Sequence, residues 1–183
     1  MEMLDIVDEN NELTGKKEER RVVHKKYLWH RHANCWIMNE KGELLFQKRA
    51  ATKEKNPNKW AKTGGHVMAG ESPKQGLIRE IKEEIGVVLK ENDIELIEIF
   101  KSEDPTNKSY SYEYFTMVNY DINDYVIQKE ELSEIKYYTI EELIDIKKKN
   151  DDSFTFSKWS DEEFYEKMQI LKEKRKYCKK GNI

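Results

Sequence analysis

Residues 64–87, GGHVMAGESPKQGLIREIKEEIGV, constrain the chain to a loop, a capped helix and a second loop. Ser72 and Gln75 stand at capping-box spacing, and Pro73 falls at the first helical residue, where its missing N–H costs nothing. Gly86 follows the last turn, at the place that favours a left-handed residue. Between these signals Leu77, Ile78, Ile81 and Ile85 form one apolar stripe that must face a core. Glu80, Glu83 and Glu84 share the neighbouring stripe at i, i+3 and i+4, where like charges repel by a few tenths of a kcal/mol per pair. Gly76 is a poor residue for a helix interior and points to close backbone approach.

Gly64 and Gly65 allow backbone conformations that a side chain would forbid, so the preceding loop can fold back and aim its carbonyls at the carboxylates. Three carboxylates with a carbonyl oxygen and water form the oxygen ligand set that Mg2+ or Mn2+ prefers. Such ions bridge phosphate oxygens and neutralise charge during attack at phosphorus. By itself, EIKEE on a helix reads first as a plain solvated face. The family signature that the whole segment matches, given below, turns the reading toward the metal-assisted phosphate site.

A chain of 183 residues has room for one domain with a real core, and the reading takes 1–183 as a single domain. Charged residues make up 38%, but 33 basic and 36 acidic side chains leave a net charge of only −3. That balance argues against a nucleic-acid binder, which needs a basic excess. Four Trp, ten Tyr and six Phe argue against general disorder. No run of 18 apolar residues is present, so no membrane span is expected. The start, MEMLDIVDENNEL, lacks the apolar stretch of a signal peptide, and Cys35 and Cys178 show no paired spacing. A reduced, cytoplasmic protein acting on a small molecule, as a monomer or homodimer, is the expectation.

Along the chain, Leu4, Ile6 and Val7 before DENNELTG predict a strand and hairpin. KKEERRVVHKKYL reads as a short helix or loop. HANCWIMN and GELLFQKRA predict a second hairpin, with Ala33, Cys35 and Ile37 alternating against Asn34, Trp36 and Met38. KEKNPNKWAKT is a polar loop. IELIEIFKSE, YSYEYFTMVNYD and ELSEIKYYTI read as strands. Thr139 with Glu142, and Ser160 with Glu163, have capping-box spacing ahead of two further helices. The last helix repeats Phe164, Met168 and Leu171, and the basic tail 173–183 reads as a frayed, solvated end. The class is α+β, a mixed sheet with helices packed on it.

Residues 65–87 match the signature of the Nudix hydrolases without departure: Gly65, Glu71, Arg79, Glu80, Ile81, Glu83, Glu84, Gly86 and Val87. Chance agreement at average residue frequencies is on the order of one in 10⁸ or rarer per starting point. The resemblance implies the Nudix α/β/α sandwich with a mixed central sheet. It implies hydrolysis of a nucleoside diphosphate linked to another moiety, by water attack on a phosphorus, with Mg2+ or Mn2+. Glu80, Glu83, Glu84 and the Gly65 carbonyl would hold the metal. Arg79 and Glu71 would brace the loop and helix by pairing and capping. The base would be Glu83 or Glu80, or a later carboxylate, Glu130 or Glu131.

LDIVDENNELTG, VVHKKYLWHRHANCWI and LLFQKRA further resemble the branch that holds the isopentenyl-diphosphate isomerases and their hydrolase relatives. Those isomerases hold a metal with histidines and use a catalytic Cys and Glu. His24, His30 and His66 fall where the isomerase histidines would be, and Glu113 where a carboxylate ligand is expected. The Cys-Gly-His motif of the isomerases reads Gly64-Gly65-His66 here, and Ser111 takes one later carboxylate position. The histidines equally read as surface or backbone-bonded groups, His32 more so than the rest. Trp29, Trp36 and Trp60 read as core residues before stacking platforms. An isomerase-like enzyme and a catalytically inactive Nudix-fold module stand as alternatives.

Overall fold

The computed structural model describes residues 2–104 and 107–179. The chain divides into two units, Met1–Trp36 with Thr63–Thr116, and Ile37–Lys62 with Met117–Ile183. Neither is a continuous stretch of sequence.

In the first unit, β1 (Met3–Val7) pairs antiparallel with β2 (Leu13–Glu19), joining Met3 to Glu19 and Val7 to Leu13. The turn is closed by Asp8, whose Oδ1 accepts from the backbone N–H groups of Asn10 (2.8 Å) and Glu12 (2.9 Å). The short helix or loop expected over KKEERRVVHKKYL is a short helix, α1 (Arg20–Lys25), but its first four residues continue β2, which runs to Glu19. Most of β2 is exposed, so it shows no apolar alternation, and its backbone bonds to β1 alone define it.

The rest of this unit is built on β3 (His30–Met38), whose last two residues belong to the second unit. It pairs with β6 (Thr63–His66) on one side and β8 (Asn107–Met117) on the other, and β8 pairs with β7 (Ile94–Asp104). From Cys35 to Met38 every side chain is buried, so β3 is interior on both faces rather than alternating in and out. Val7, Trp29 and Tyr110 cluster, with Lys101 Nζ 4.5 Å above the Trp29 ring. Trp29, Trp36 and Trp60 are all core residues.

In the second unit β4 (Leu44–Arg49) pairs antiparallel with β9 (Leu132–Tyr138) and with β5 (Trp60–Ala61), and Met38 of β3 pairs with Leu44. A parallel bridge joins Trp60 to Phe154. Rings of Phe46, Trp60, Tyr138, Phe154, Phe156 and Phe164 meet with centroids 5.0–6.2 Å apart. This cluster explains why the polar loop around Pro57 ends in a strand. Trp60 is fixed by its ring and by its N–H to Ser153 O at 2.7 Å.

α3 (Ile140–Lys148) and α4 (Asp161–Lys179) begin at Thr139 and Ser160 with the expected capping boxes. α4 buries Phe164, Met168 and Leu171. Helix continues through 173–179, where the sequence reads as a frayed tail, and Arg175 reaches Glu141 (3.8 Å) and the Lys41 carbonyl (3.4 Å). Residues 180–183 and the Cys178 side chain lie outside the described residues, while Cys35 is buried. The class is the expected α+β, a mixed sheet with helices. No helix among the described residues is long and apolar enough to cross a membrane.

Phe164 is wholly buried, whereas Val126 is 73% exposed. Phe164→Ala is expected to cost about 3–5 kcal/mol and Val126→Ala within about 0.5 kcal/mol, measured by urea unfolding.

Candidate active site

α2 (Pro73–Ile85) starts and stops as its sequence dictates. Ser72 Oγ accepts from the Gln75 N–H at 3.2 Å, Gln75 Oε1 accepts from the Ser72 N–H at 3.0 Å, and Gly86 closes the helix with φ 75°. Leu77, Ile81 and Ile85 are fully buried, each worth about 1.5–3 kcal/mol of apolar burial. Ile78 is only partly buried, so the apolar stripe is narrower than the sequence suggests. The cause of Gly76 is now visible. A Cβ there would lie 3.0 Å from Glu71 Oε2 and 3.3 Å from the Val67 backbone, so the helix passes directly over the preceding loop.

Arg79 is the hub of that crossing. Its Nε and Nη2 donate to the two oxygens of Glu71 at 2.8 and 3.1 Å, a bidentate pair. Nη2 also donates to the His66 carbonyl (3.1 Å), and Nη1 to Glu80 (2.8 Å) and Glu83 (3.2 Å). Glu71 Oε2 accepts in addition from the Met68 N–H at 2.9 Å. The Glu71 bond above all holds the guanidinium firmly protonated, against the opposing effect of burial. Burial raises the Glu71 carboxyl, but Arg79 and the Met68 N–H hold it below its ordinary value.

The three box carboxylates differ in setting. Glu84 is buried, Glu80 is mostly covered and Glu83 is half exposed. A Cβ on Gly65 would lie 2.4 Å from Glu80 Cδ, so a side chain there would push this carboxylate from the place where Arg79 holds it. Burial pushes the Glu80 carboxyl up; Arg79 opposes this, and Glu83 and Glu2 add to it by repulsion. The structure thus brings together Gly65, His66, Glu71, Arg79, Glu80 and Glu83.

All four histidines of the chain also meet in the first unit. His30 and His32 share one face of β3, and the register sets His32 opposite His66. His24, from α1, places Nε2 3.1 Å from His66 Nε2. One ligand nitrogen each from His24, His30 and His66 fall within 4.8 Å of one another. His30 Nδ1 lies 3.0 Å from the Leu28 carbonyl, a contact that makes Nδ1 the donor and Nε2 the lone-pair nitrogen. Burial above all, with the electrostatic influence of His32, Arg20, His30 and His24, pushes His66 well below the ordinary histidine value. It is therefore neutral, as ligation needs. His32 packs against His66 at 5.2 Å rather than lying alone on the surface.

Glu113 is buried on β8, where Asn34 Nδ2 donates to it and to Ser111 Oγ, both at 2.9 Å. Glu130 and Glu131 lie in the second unit, in the turn before β9, with Glu131 paired to Lys53. Sequence reasoning missed Asn34, Glu2 and Arg20. Asn34 and His32 carry one signal, the i, i+2 spacing with His30, which puts all three on one strand face. Glu2 and Arg20 carry none, because only the fold brings them near His66.

A NUDIX domain model matches residues 28–160. The chain belongs to the Nudix hydrolase family. It is a pyrophosphohydrolase of that family, with the Nudix fold. It is 36% identical over 150 residues to a Nudix hydrolase of Clostridium acetobutylicum, covering 78% of this chain and 72% of that one. Against an isopentenyl-diphosphate Delta-isomerase of Corynebacterium diphtheriae it is 32% identical over 88 residues, 48% of each chain. A crystal structure from Deinococcus radiodurans shares the fold with a TM-score of 0.65 at 24% identity, over 79% of this chain and 87% of that one.

In this Nudix hydrolase, Arg79→Lys keeps the charge but loses the fork that holds Glu71, Glu80 and His66 together. Turnover is expected to fall at least tenfold, with a loss of about 1.5–3 kcal/mol for bonds to charged groups, measured by steady-state kinetics and urea unfolding. Glu80 gives a pH test. Its folded pKa is raised, so ionised Glu80 costs stability above that value and nothing once it is protonated in both states. Glu80→Gln should therefore stabilise the metal-free protein at pH 7. That gain should vanish as pH falls below about 4.3, the unfolded value, in melting curves taken across pH.

Proposed function

We propose that this Nudix hydrolase cleaves the diphosphate linkage of a nucleoside diphosphate bound to another moiety, or of a related organic pyrophosphate, using Mg2+ or Mn2+ in the cytoplasm. The observation that carries the reading is the Arg79 frame, which holds Glu80 and Glu83 on one guanidinium with Glu80 against the Gly65 backbone. The donor set fits a hard divalent cation, since Glu80, Glu83, Glu84 and the Gly65 carbonyl offer oxygen alone. The ion supplies positive charge against the diphosphate oxygens when bound.

The protein supplies position and a proton acceptor. Arg79 points Glu80 and Glu83 from one guanidinium, and Glu71 fixes that guanidinium in turn. Attack of water at phosphorus sends its proton to Glu80 or Glu83. Burial raises the Glu80 carboxyl, toward the range useful to a general base at neutral pH.

His24, His30 and His66 form a second, nitrogen-donor metal site in this proposal. Supporting it are the three converging ring nitrogens and the backbone contact that leaves His30 Nε2 as an acceptor. The trio also favours a second reading, an isomerase-like enzyme, but Gly64 opposes it. A Cβ at 64 would lie 2.4 Å from the Ala33 carbonyl and 2.6 Å from Asn34 Oδ1. A thiol cannot stand at this position unless β3 and Asn34 move, so the space is closed as well as the residue changed.

Mg2+ or Mn2+ assays of phosphate release over nucleotide sugars, dinucleoside polyphosphates, nucleoside triphosphates and prenyl diphosphates test the reading. At least one diphosphate should be hydrolysed only with metal, and solvent deuterium should not enter isopentenyl diphosphate. Glu83→Gln and Glu84→Gln should each cut kcat at least a hundredfold, and together remove the Mg2+-dependent rise in melting temperature, since the nitrogen donors of the histidine trio do not suit that ion. Parent-like kcat in either variant at saturating metal would overturn the assignment.

A further inference from the structure

The opposite side of His66 carries information that the trio itself does not. Nε2 of His66 faces His24, while its Nδ1 lies 3.9 Å from Oε1 of Glu2. A ligating imidazole binds with one nitrogen and donates its other N–H to a carboxylate or carbonyl, which fixes the tautomer and strengthens the donor. For His30 the Leu28 carbonyl fills that place. For His66 the group in place is a carboxylate. At 3.9 Å the gap is closed by a small side-chain rotation.

Glu2 is held there by design of the chain around it. Its carbonyl accepts from the Arg20 N–H at 2.9 Å, and its Oε2 accepts from Arg20 Nη1 at 2.8 Å. The next residue, Met3, opens β1 opposite Glu19, and its carbonyl accepts from the Ala69 N–H at 2.8 Å. Leu4 bridges to Met68. The strand that carries Glu2 is therefore stitched both to the segment that leads into α1, which carries His24, and to the loop that follows His66. Arg20 and Glu2 are partly exposed, so as a bare ion pair they would be a weak tether.

We infer that Glu2 is a positioning residue for the histidine site: its carboxylate takes the Nδ1–H of His66 and keeps Nε2 turned to the metal as a lone-pair donor. Arg20 sets the carboxylate and prevents it from swinging away. The inference rests on the reading of His24, His30 and His66 as a metal site, and the test separates the two.

Co2+ is titrated into the full chain carrying Glu83→Gln and Glu84→Gln, so that the visible absorption of the ion reports on the histidines. His24→Ala in that background should abolish the signal. Glu2→Gln should weaken Co2+ binding 10–100-fold and change the visible bands. Glu2→Asp should recover part of the affinity, and Arg20→Gln, which keeps the carboxylate, should lose much less than Glu2→Gln. Melting curves of the metal-free variants show that each is folded. Parent-like Co2+ affinity and spectrum in Glu2→Gln, with His24→Ala still dead, overturns the role of Glu2 and leaves the histidine site. Equal losses in Glu2→Gln and Arg20→Gln also overturn it, because a tether alone then explains both. No difference between His24→Ala and its parent overturns the site and Glu2 together.

Discussion

The Arg79 guanidinium is one rigid fork that binds the loop before α2 and the acidic face of α2 at the same time. Three of its partners are carboxylates and the fourth is the His66 carbonyl. Without that charge, Glu71, Glu80 and Glu83 would face one another across a partly dehydrated crossing, where repulsion is felt more strongly than in water. With it, the loop is drawn down onto the helix, and this contact leaves no room for a side chain at Gly65 or Gly76. The clustering of like charges on α2 is thus sustained by a cation from the same helix.

Strand register does for the histidines what Arg79 does for the carboxylates. His30 and His32 are two residues apart, and β6 lies antiparallel with His66 opposite His32. The rings therefore crowd together because of backbone pairing, and α1 brings His24 to them. Gly65 and His66 are neighbours in β6, so one short strand lies against both the Glu80 carboxylate and the histidine trio.

The places where sequence and structure part share a cause. β2 has no apolar period because little of it is buried. The end of β3 alternates in sequence but is covered on both faces. Trp60 sits in a stretch that looks like polar loop, and its partner Phe154 is 94 residues on, so no local pattern connects them. Helix ends were legible throughout, since Ser72, Thr139 and Ser160 act on amides three residues away.

By itself the sequence determined α2, with its caps and carboxylate stripe, the Gly-Glu-Arg pattern that identifies the family, and the strands whose apolar residues are periodic. These depend on neighbours within one helical turn or one strand pair, where chemistry is short-range and spacing is enough. Only the tertiary structure decided that Glu80 is covered while Glu83 is exposed, that His32 belongs with the other histidines, and that Asn34 occupies the space beside Gly64. It alone set Glu2 and Arg20 against His66. Burial and long-range register are properties of how distant segments pack, and a carboxylate's environment is fixed by what the fold brings to it.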